Sequence, residues 1–87
     1  MDLKLSKKRT LITGSSSGIG KSIAKIFDAE GCIIALNGRD SNKLISASKE
    51  FNKPLICQGD MENQSEASRV VKNCFDKLGG LDILICN

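Results

Sequence analysis

The sequence predicts an α/β fold, a three-layer parallel sheet built β-α-β-α-β-α-β along the chain with strand order 3-2-1-4 across it. Three observations carry this expectation. Short apolar runs alternate with segments whose apolar residues recur at helical spacing. The apolar runs are near-continuous, Cys32-Ile33-Ile34-Ala35-Leu36 above all, as strands covered on both faces require. A glycine-rich stretch, Thr13-Gly14-Ser15-Ser16-Ser17-Gly18-Ile19-Gly20, separates the first apolar run from the first helical segment. Right-handed crossovers between parallel strands then favour the order 3-2-1-4, with ligands expected beyond the strand C-termini in the crevice between strands 1 and 4.

Each element has its own signal. Thr10-Leu11-Ile12 is the first strand. Ile19, Ile23, Ile26 and Phe27 place one apolar stripe on a helix from about Gly18 to Glu30, which Gly31 ends. The second strand is Cys32 to Leu36. Asp40 or Ser41 can cap a second helix on which Leu44, Ser48 and Phe51 share a face, and Asn52-Lys53-Pro54 stops it because the residue before proline disfavours helix. Leu55-Ile56-Cys57 is the third strand. Asn63 with Glu66 three residues later makes a start resembling a capping box, and Ala67, Val70, Val71, Cys74, Phe75 and Leu78 form the stripe of a helix that Gly79-Gly80 terminates. Leu81 to Cys86 is the fourth strand, apolar after Asp82 and, with nothing beyond it, expected to be an exposed, association-prone edge.

The glycine-rich stretch is built for a phosphate group. The first N–H groups of a helix have no intrahelical partner, and the positive end of the helix dipole faces the same way. Gly14 suits the tight turn off the strand; Gly18 and Gly20 remove Cβ atoms where backbone must approach phosphates or pack against the sheet. A flexible turn before a helix is the bland alternative. The strand before and the helix after are what favour the phosphate reading.

The spacing of Thr13, Gly14, Gly18 and Gly20 resembles the T-G-x-x-x-G-x-G of the short-chain dehydrogenase/reductase family. Asn37-Gly38-Arg39-Asp40 is similar to the end of that family's second strand, and Gly59-Asp60-Met61 to its third-strand Asp and following apolar residue. Leu81-Asp82-Ile83-Leu84-Ile85-Cys86-Asn87 resembles the segment that runs into its N-N-A-G motif, with Cys86 in place of the first Asn. The resemblance implies a Rossmann-type fold and NAD(P)-dependent hydride transfer to or from a carbonyl or alcohol, as in 3-oxoacyl-carrier-protein reductases. It implies cofactor contacts from Gly14, Ser16, Ser17, Gly18, Ile19, Gly20, Arg39, Asp60, Met61 and Asn87. Family members are single domains of about 250 residues, so residues 1–87 are expected to be the cofactor-binding part, truncated before the catalytic half. The family's Tyr, Lys, Ser and Asn catalytic set finds no match, and the sequence contains no Tyr. No catalytic residue is assigned.

Cofactor choice turns on Gly38 and Arg39. A carboxylate near the end of strand 2 bonds the adenosine ribose in NAD-binding relatives; a glycine leaves room, and a guanidinium offers a bidentate partner for a 2′-phosphate. The expectation is NADP(H) over NAD(H). The alternative leaves Arg39 solvating a turn and Asp40 on the ribose. For Asp60, implied to accept from the adenine amino group beside Met61, the alternative is a turn Asp capping the next helix. Ser16 and Ser17 can offer hydroxyls to phosphate or ribose, and Lys21 is read as a surface residue.

Composition narrows the field further. The 87 residues are 40% hydrophobic and 26% charged with net charge +3, an ordinary globular balance. A domain this small buries about 60–65% of its unfolded surface, so the core is marginal. The sequence has no apolar run near the ~20 residues that span a bilayer and no signal-peptide pattern, which makes the cytoplasm the default and a membrane partner unexpected. Lys4, Lys7, Lys8 and Arg9 form a basic cluster without interleaved aromatics, a poor nucleic-acid patch. Four cysteines without a C-x-x-C pair, and no His, argue for reduced thiols and against a metal site. The expected partners are the dinucleotide, a small carbonyl or alcohol substrate of the longer parent, and further copies in a homo-oligomer. A non-catalytic nucleotide-binding module and an inert truncated product are the rival readings.

Overall fold

Seven elements follow one another: β1 (Arg9–Ile12), α1 (Gly18–Ala29), β2 (Ile33–Gly38), α2 (Ser41–Ser48), β3 (Leu55–Gln58), α3 (Gln64–Leu78) and β4 (Ile83–Ile85). They are seen in a computed structural model that describes residues 5–87, so the start of the chain, Lys4 of the basic cluster included, lies outside the described residues. Every ladder is parallel and the strand order is β3-β2-β1-β4, as the alternation predicts.

The sheet has a core on each face. Ile12, Ile34 and Leu36 meet Ala24 of α1 and Leu44 of α2, with Phe51 beyond it. On the opposite face Leu11, Ala35 and Cys57 meet Val70 and Cys74 of α3. Adjacent residues such as Leu11 and Ile12 point to opposite sides of the pleat, which is why the strands are apolar without alternation. Leu11, Ile12, Leu36 and Leu44 are fully buried; each such side chain contributes roughly 1.5–3 kcal/mol.

The helix boundaries show which local signals decided. Asp40 caps α2, accepting from the N–H groups of Asn42 at 2.9 Å and Lys43 at 3.2 Å. Asn63 Oδ1 accepts from Glu66 N–H at 3.0 Å to start α3. The Glu66 carboxylate does not return to Asn63; it accepts from Asp60 N–H at 3.4 Å and so pins the loop ahead of the helix. The α2 helix ends at Ser48, earlier than the proline signal implies. Glu50 N–H to Ala47 O and Phe51 N–H to Ser48 O are tighter, three-residue turns that unwind it.

The apolar stripes match their sequence reading in part: Phe27 of α1 and Val70, Val71, Cys74 and Leu78 of α3 pack against the core, and other members do not. Ile19 is 74% and Ile26 57% exposed, whereas Gly20 and Ala24 are buried. The α1 helix lies too close to the loop after β1 for a bulky contact, since a Cβ on Gly20 would overlap the Gly14 carbonyl. Small residues therefore make the seam and the isoleucines flank it. Phe75 is 54% exposed although it continues the stripe of Val70 and Cys74. The fourth strand is shorter than Leu81 to Cys86: Leu81 packs against the α3-side core, and Asp82 is drawn to Arg9. Cys32, Cys57 and Cys74 are buried free thiols and Cys86 is exposed. Among the described residues no helix is long and apolar enough to cross a membrane.

Candidate functional site

The loop from Thr13 to Ser17 leaves β1 at its C-terminal end and is fastened from beneath. Ser15 is fully buried; its hydroxyl donates to Ile12 O at 2.8 Å and accepts from Asn37 N–H at 2.9 Å, while its own N–H donates to Asn37 O at 2.7 Å. Gly14 and Gly18 hold φ of +59° and +61°, the left-handed region that a side chain disfavours. Beyond the adjoining backbone of its own helix turn, no heavy atom lies within 4 Å of where a Gly18 Cβ would stand, so the position is kept bare by backbone conformation and faces open space.

Ser17 is the N-cap of α1 and makes no side-chain cap hydrogen bond, and no acidic side chain occupies the first turn. The other two helices are capped by Asp40 and Asn63. All three helices start from the C-terminal end of a strand, and α1 is the one without a side-chain cap, so its leading N–H groups are left to an outside acceptor.

A cleft of about 340 Å³ opens there. Gly14, Ser16 and Ser17 form one wall, Arg39, Asp60 and Met61 stand across from them, and Asn87 closes the β4 side. Gly18, Ile19 and Gly20 are not on its lining: they form the first turn of α1, with Ile19 pointing to solvent. Thr13, Asn37, Gly59 and Glu62 also line the cleft, though the sequence reading does not single them out as site residues. Thr13, Asn37 and Gly59 share a signal of position, at or immediately after the C-terminal end of a strand, and Glu62 lies further along the loop after β3.

The polar contacts sort the candidates. Asp40 spends its carboxylate on the cap of α2, while Arg39 lines the cleft and its carbonyl accepts from Gln58 Nε2 at 2.9 Å. A Cβ on Gly38 would lie 3.0 Å from Ser16 Oγ, so a carboxylate-bearing residue at that place would crowd the loop. Asp60 Oδ1 accepts from Glu62 N–H at 2.9 Å, which gives it a turn role besides its place on the cleft. Asn87 donates its N–H to Thr13 Oγ1 at 2.9 Å and its amide to Gly14 O at 3.2 Å, tying the β4 end to the glycine loop. Lys21 is more than a free surface residue: with Lys25 it pairs with Glu50, whose carboxyl these two ammonium groups hold down to about 2.

This arrangement can bind an extended anionic ligand that also carries a hydrogen-bond donor. It offers helix N–H groups and hydroxyls on one side, a guanidinium at the end of β2, and a carboxylate at the end of β3. The short chain dehydrogenase family model matches residues 8–87. Glucose 1-dehydrogenase of Gluconobacter oxydans is 39% identical over 85 residues, covering 92% of this chain and 32% of the relative. The L-sorbose reductase of Gluconobacter frateurii, solved with NADPH and L-sorbose, superposes with TM-score 0.88 at 37% identity over 97% of this chain and 34% of its own. The 3-ketoacyl-(acyl-carrier-protein) reductase of Brucella melitensis, solved with NADH, gives TM-score 0.85 at 30% identity over 92% of this chain and 33% of its own. The chain therefore spans about a third of the length of the relatives it matches.

Proposed function

The chain belongs to the short chain dehydrogenase family, and from that premise we propose that it is the cofactor-binding part of an NADP(H)-dependent oxidoreductase acting on a carbonyl or alcohol. The residues fit a dinucleotide. The uncapped first turn of α1 with Ser16 and Ser17 takes the phosphates, and the bare Gly18 lets them approach. Asp60 takes the adenine amino group, with Met61 beside it, and Asn87 holds the glycine loop through Gly14. When bound, the nicotinamide supplies the hydride.

One observation carries the preference for NADP(H). The acidic residue closest to the end of β2, Asp40, is committed to the α2 cap, which leaves Arg39, on the cleft lining just after β2, to offer its charge there. A 2′-phosphate meets a cation there. A small carbonyl or alcohol substrate and a homo-oligomer of the longer parent, with the cytoplasm as default location, complete this reading. With no Tyr in the 87 residues, the family's proton donor is missing, and general acid catalysis contributes typically 10²–10⁴-fold. These residues bind without turnover.

Calorimetric titration of wild type and Arg39→Ala with NADPH and NADH tests the reading. A charge-assisted hydrogen bond is worth about 1.5–3 kcal/mol, so the variant should lose roughly ten- to hundredfold in NADPH affinity and change little toward NADH. Equal affinity of wild type for both nucleotides removes the NADP(H) assignment; binding of neither removes the cofactor reading altogether.

A further inference from the structure

Asn37 is 1% exposed at the next-to-last position of β2, and its side-chain amide joins three segments of the chain. Oδ1 accepts from Gly14 N–H at 3.1 Å in the glycine loop. Nδ2 donates to Cys57 O at 2.9 Å and to Gly59 O at 3.2 Å, where β3 gives way to the loop that carries Asp60 and Met61. One short planar group thus satisfies a donor in the glycine loop and two acceptors on the β3 side, of which Gly59 lines the cleft. An aspartate offers no donors, a leucine offers nothing, and a glutamine is a methylene longer. Backbone already ties each loop to β2, Ser15 N–H to Asn37 O at 2.7 Å on one side and Gly59 N–H to Gly38 O at 3.0 Å on the other; the amide adds the direct side-chain link from Gly14 across to Cys57 and Gly59.

We propose that Asn37 is a positioning residue that makes the glycine loop and the Gly59–Glu62 loop one mechanical unit, so that both walls of the cleft hold their spacing before a nucleotide arrives. Its use for a nucleotide rests on the dinucleotide reading. A cleft set in advance avoids loop ordering at the moment of binding. It also couples the two ends of the ligand: what Ser17 holds at the phosphates stays in register with what Asp60 meets at the other end.

Amide hydrogen exchange on the nucleotide-free 87-residue chain tests the link directly. In Asn37→Ala, exchange should rise about tenfold or more, the effect of losing a buried hydrogen bond, at Gly14–Ser16 and at Gly59–Asp60 together, with α3 still protected. Ser15→Ala is the control. It cuts the hydroxyl bonds to Ile12 and Asn37 but spares the amide, so it should loosen the glycine loop alone. If Asn37→Ala does not fold, Asn37→Asp, which keeps an oxygen toward Gly14 and loses both donors, should free Gly59–Asp60 while Gly14 stays protected. In NADPH titrations, Ser17→Ala and Asp60→Ala should be non-additive on the wild-type background and additive on Asn37→Ala. A merely structural asparagine would leave that coupling unchanged. Freed exchange in one loop only for Asn37→Ala, or in both loops or neither for Asn37→Asp, overturns the proposal, as do additive losses on both backgrounds. A chain that shows the exchange pattern but binds neither NADPH nor NADH refutes the dinucleotide reading and leaves the coupling of the loops standing.

Discussion

Arg9 and Asp82, 73 positions apart, are bound side to side: Nε to Oδ2 at 2.9 Å and Nη2 to Oδ1 at 3.1 Å, with the Arg9 backbone N–H also donating to Oδ2 at 2.8 Å. The same guanidinium reaches Gly79 O at 2.6 Å. One side chain therefore fixes the start of β1, the end of α3 and the entry to β4.

That relationship predicts acid sensitivity. The hydrogen bonds from Arg9 hold the Asp82 carboxyl well below the usual carboxylate range, and Glu50 is held down to about 2 by Lys21 and Lys25. A carboxyl whose folded pKa lies below its unfolded value adds stability that is complete above the unfolded value, near pH 4, and is lost as pH falls through the folded one. The Tm of wild type should fall between pH 5 and pH 2 more steeply than that of Arg9→Ala combined with Glu50→Gln. Both pairs are partly exposed, so added salt should shrink the difference. Parallel Tm curves for the two proteins would show that these pairs do not set the acid limit.

Much of this molecule is legible in the sequence because its local signals agree with its topology. Asp40 and Asn63 cap the helices they were placed on, and the motifs at the ends of the four strands converge on one cleft. The α1 stripe misleads for a steric reason. Periodicity counts bulky side chains, but the seam at Gly20 and Ala24 is made by their smallness. Asn37 stands in the sequence only as the first residue of the Asn37-Gly38-Arg39-Asp40 motif, with no role of its own, and the fold alone brings Gly14, Cys57 and Gly59 around its amide.

The two helix-start glycines should separate binding from folding. A Cβ at Gly18 meets open space at a φ of +61°, so Gly18→Ala costs only the left-handed conformation, about 1–2 kcal/mol, and keeps the circular dichroism spectrum. On the proposed dinucleotide reading its methyl stands in the path of the phosphates, and NADPH affinity should drop at least tenfold. Gly20→Ala drives a methyl into the Gly14 carbonyl and should lower Tm more than Gly18→Ala does, with or without nucleotide. The reverse ranking in Tm would contradict this account of the loop.

The thiols should divide by burial. Cys86 is exposed, whereas Cys32, Cys57 and Cys74 are buried. Burial pushes the Cys74 thiol up to about 12 and raises Cys57 as well, and the thiolate is the reactive form. Brief iodoacetamide treatment at pH 8, read by peptide mass spectrometry, should label Cys86 and spare the other three until denaturant is added. Labelling of Cys57 or Cys74 at the rate of Cys86 would mean that the α3 face opens readily in the folded chain.

The last expectation concerns the free edge at β4. Leu84 lies opposite Leu11 in the β1–β4 ladder and so shares its face of the sheet, yet Leu11 is fully buried and Leu84 is 46% exposed. The α3 helix covers β1 to β3 and stops short of β4, which also leaves Phe75 bare. An edge strand with uncovered apolar side chains is a template for another chain. At the opposite edge, β3 has the Arg69 guanidinium donating to Gln58 O at 3.2 Å, a charge laid over the strand end. The 87-residue chain should therefore self-associate through β4, and a domain of this size has little stability with which to resist it. Light scattering coupled to size exclusion at two concentrations should show mass rising with concentration for wild type. Leu84→Lys should restore the monomer, because a charge on that face penalises stacking and pairing alike, whereas Ile56→Lys at the β3 edge should not. Hydrogen exchange across Ile83–Ile85 should be fast in the Leu84→Lys monomer and slow in the associated wild type. A wild type that elutes as a monomer at both concentrations with slow exchange in β4 would show that three residues of edge strand, anchored by Arg9 at one end and Thr13 at the other, are short enough to protect themselves.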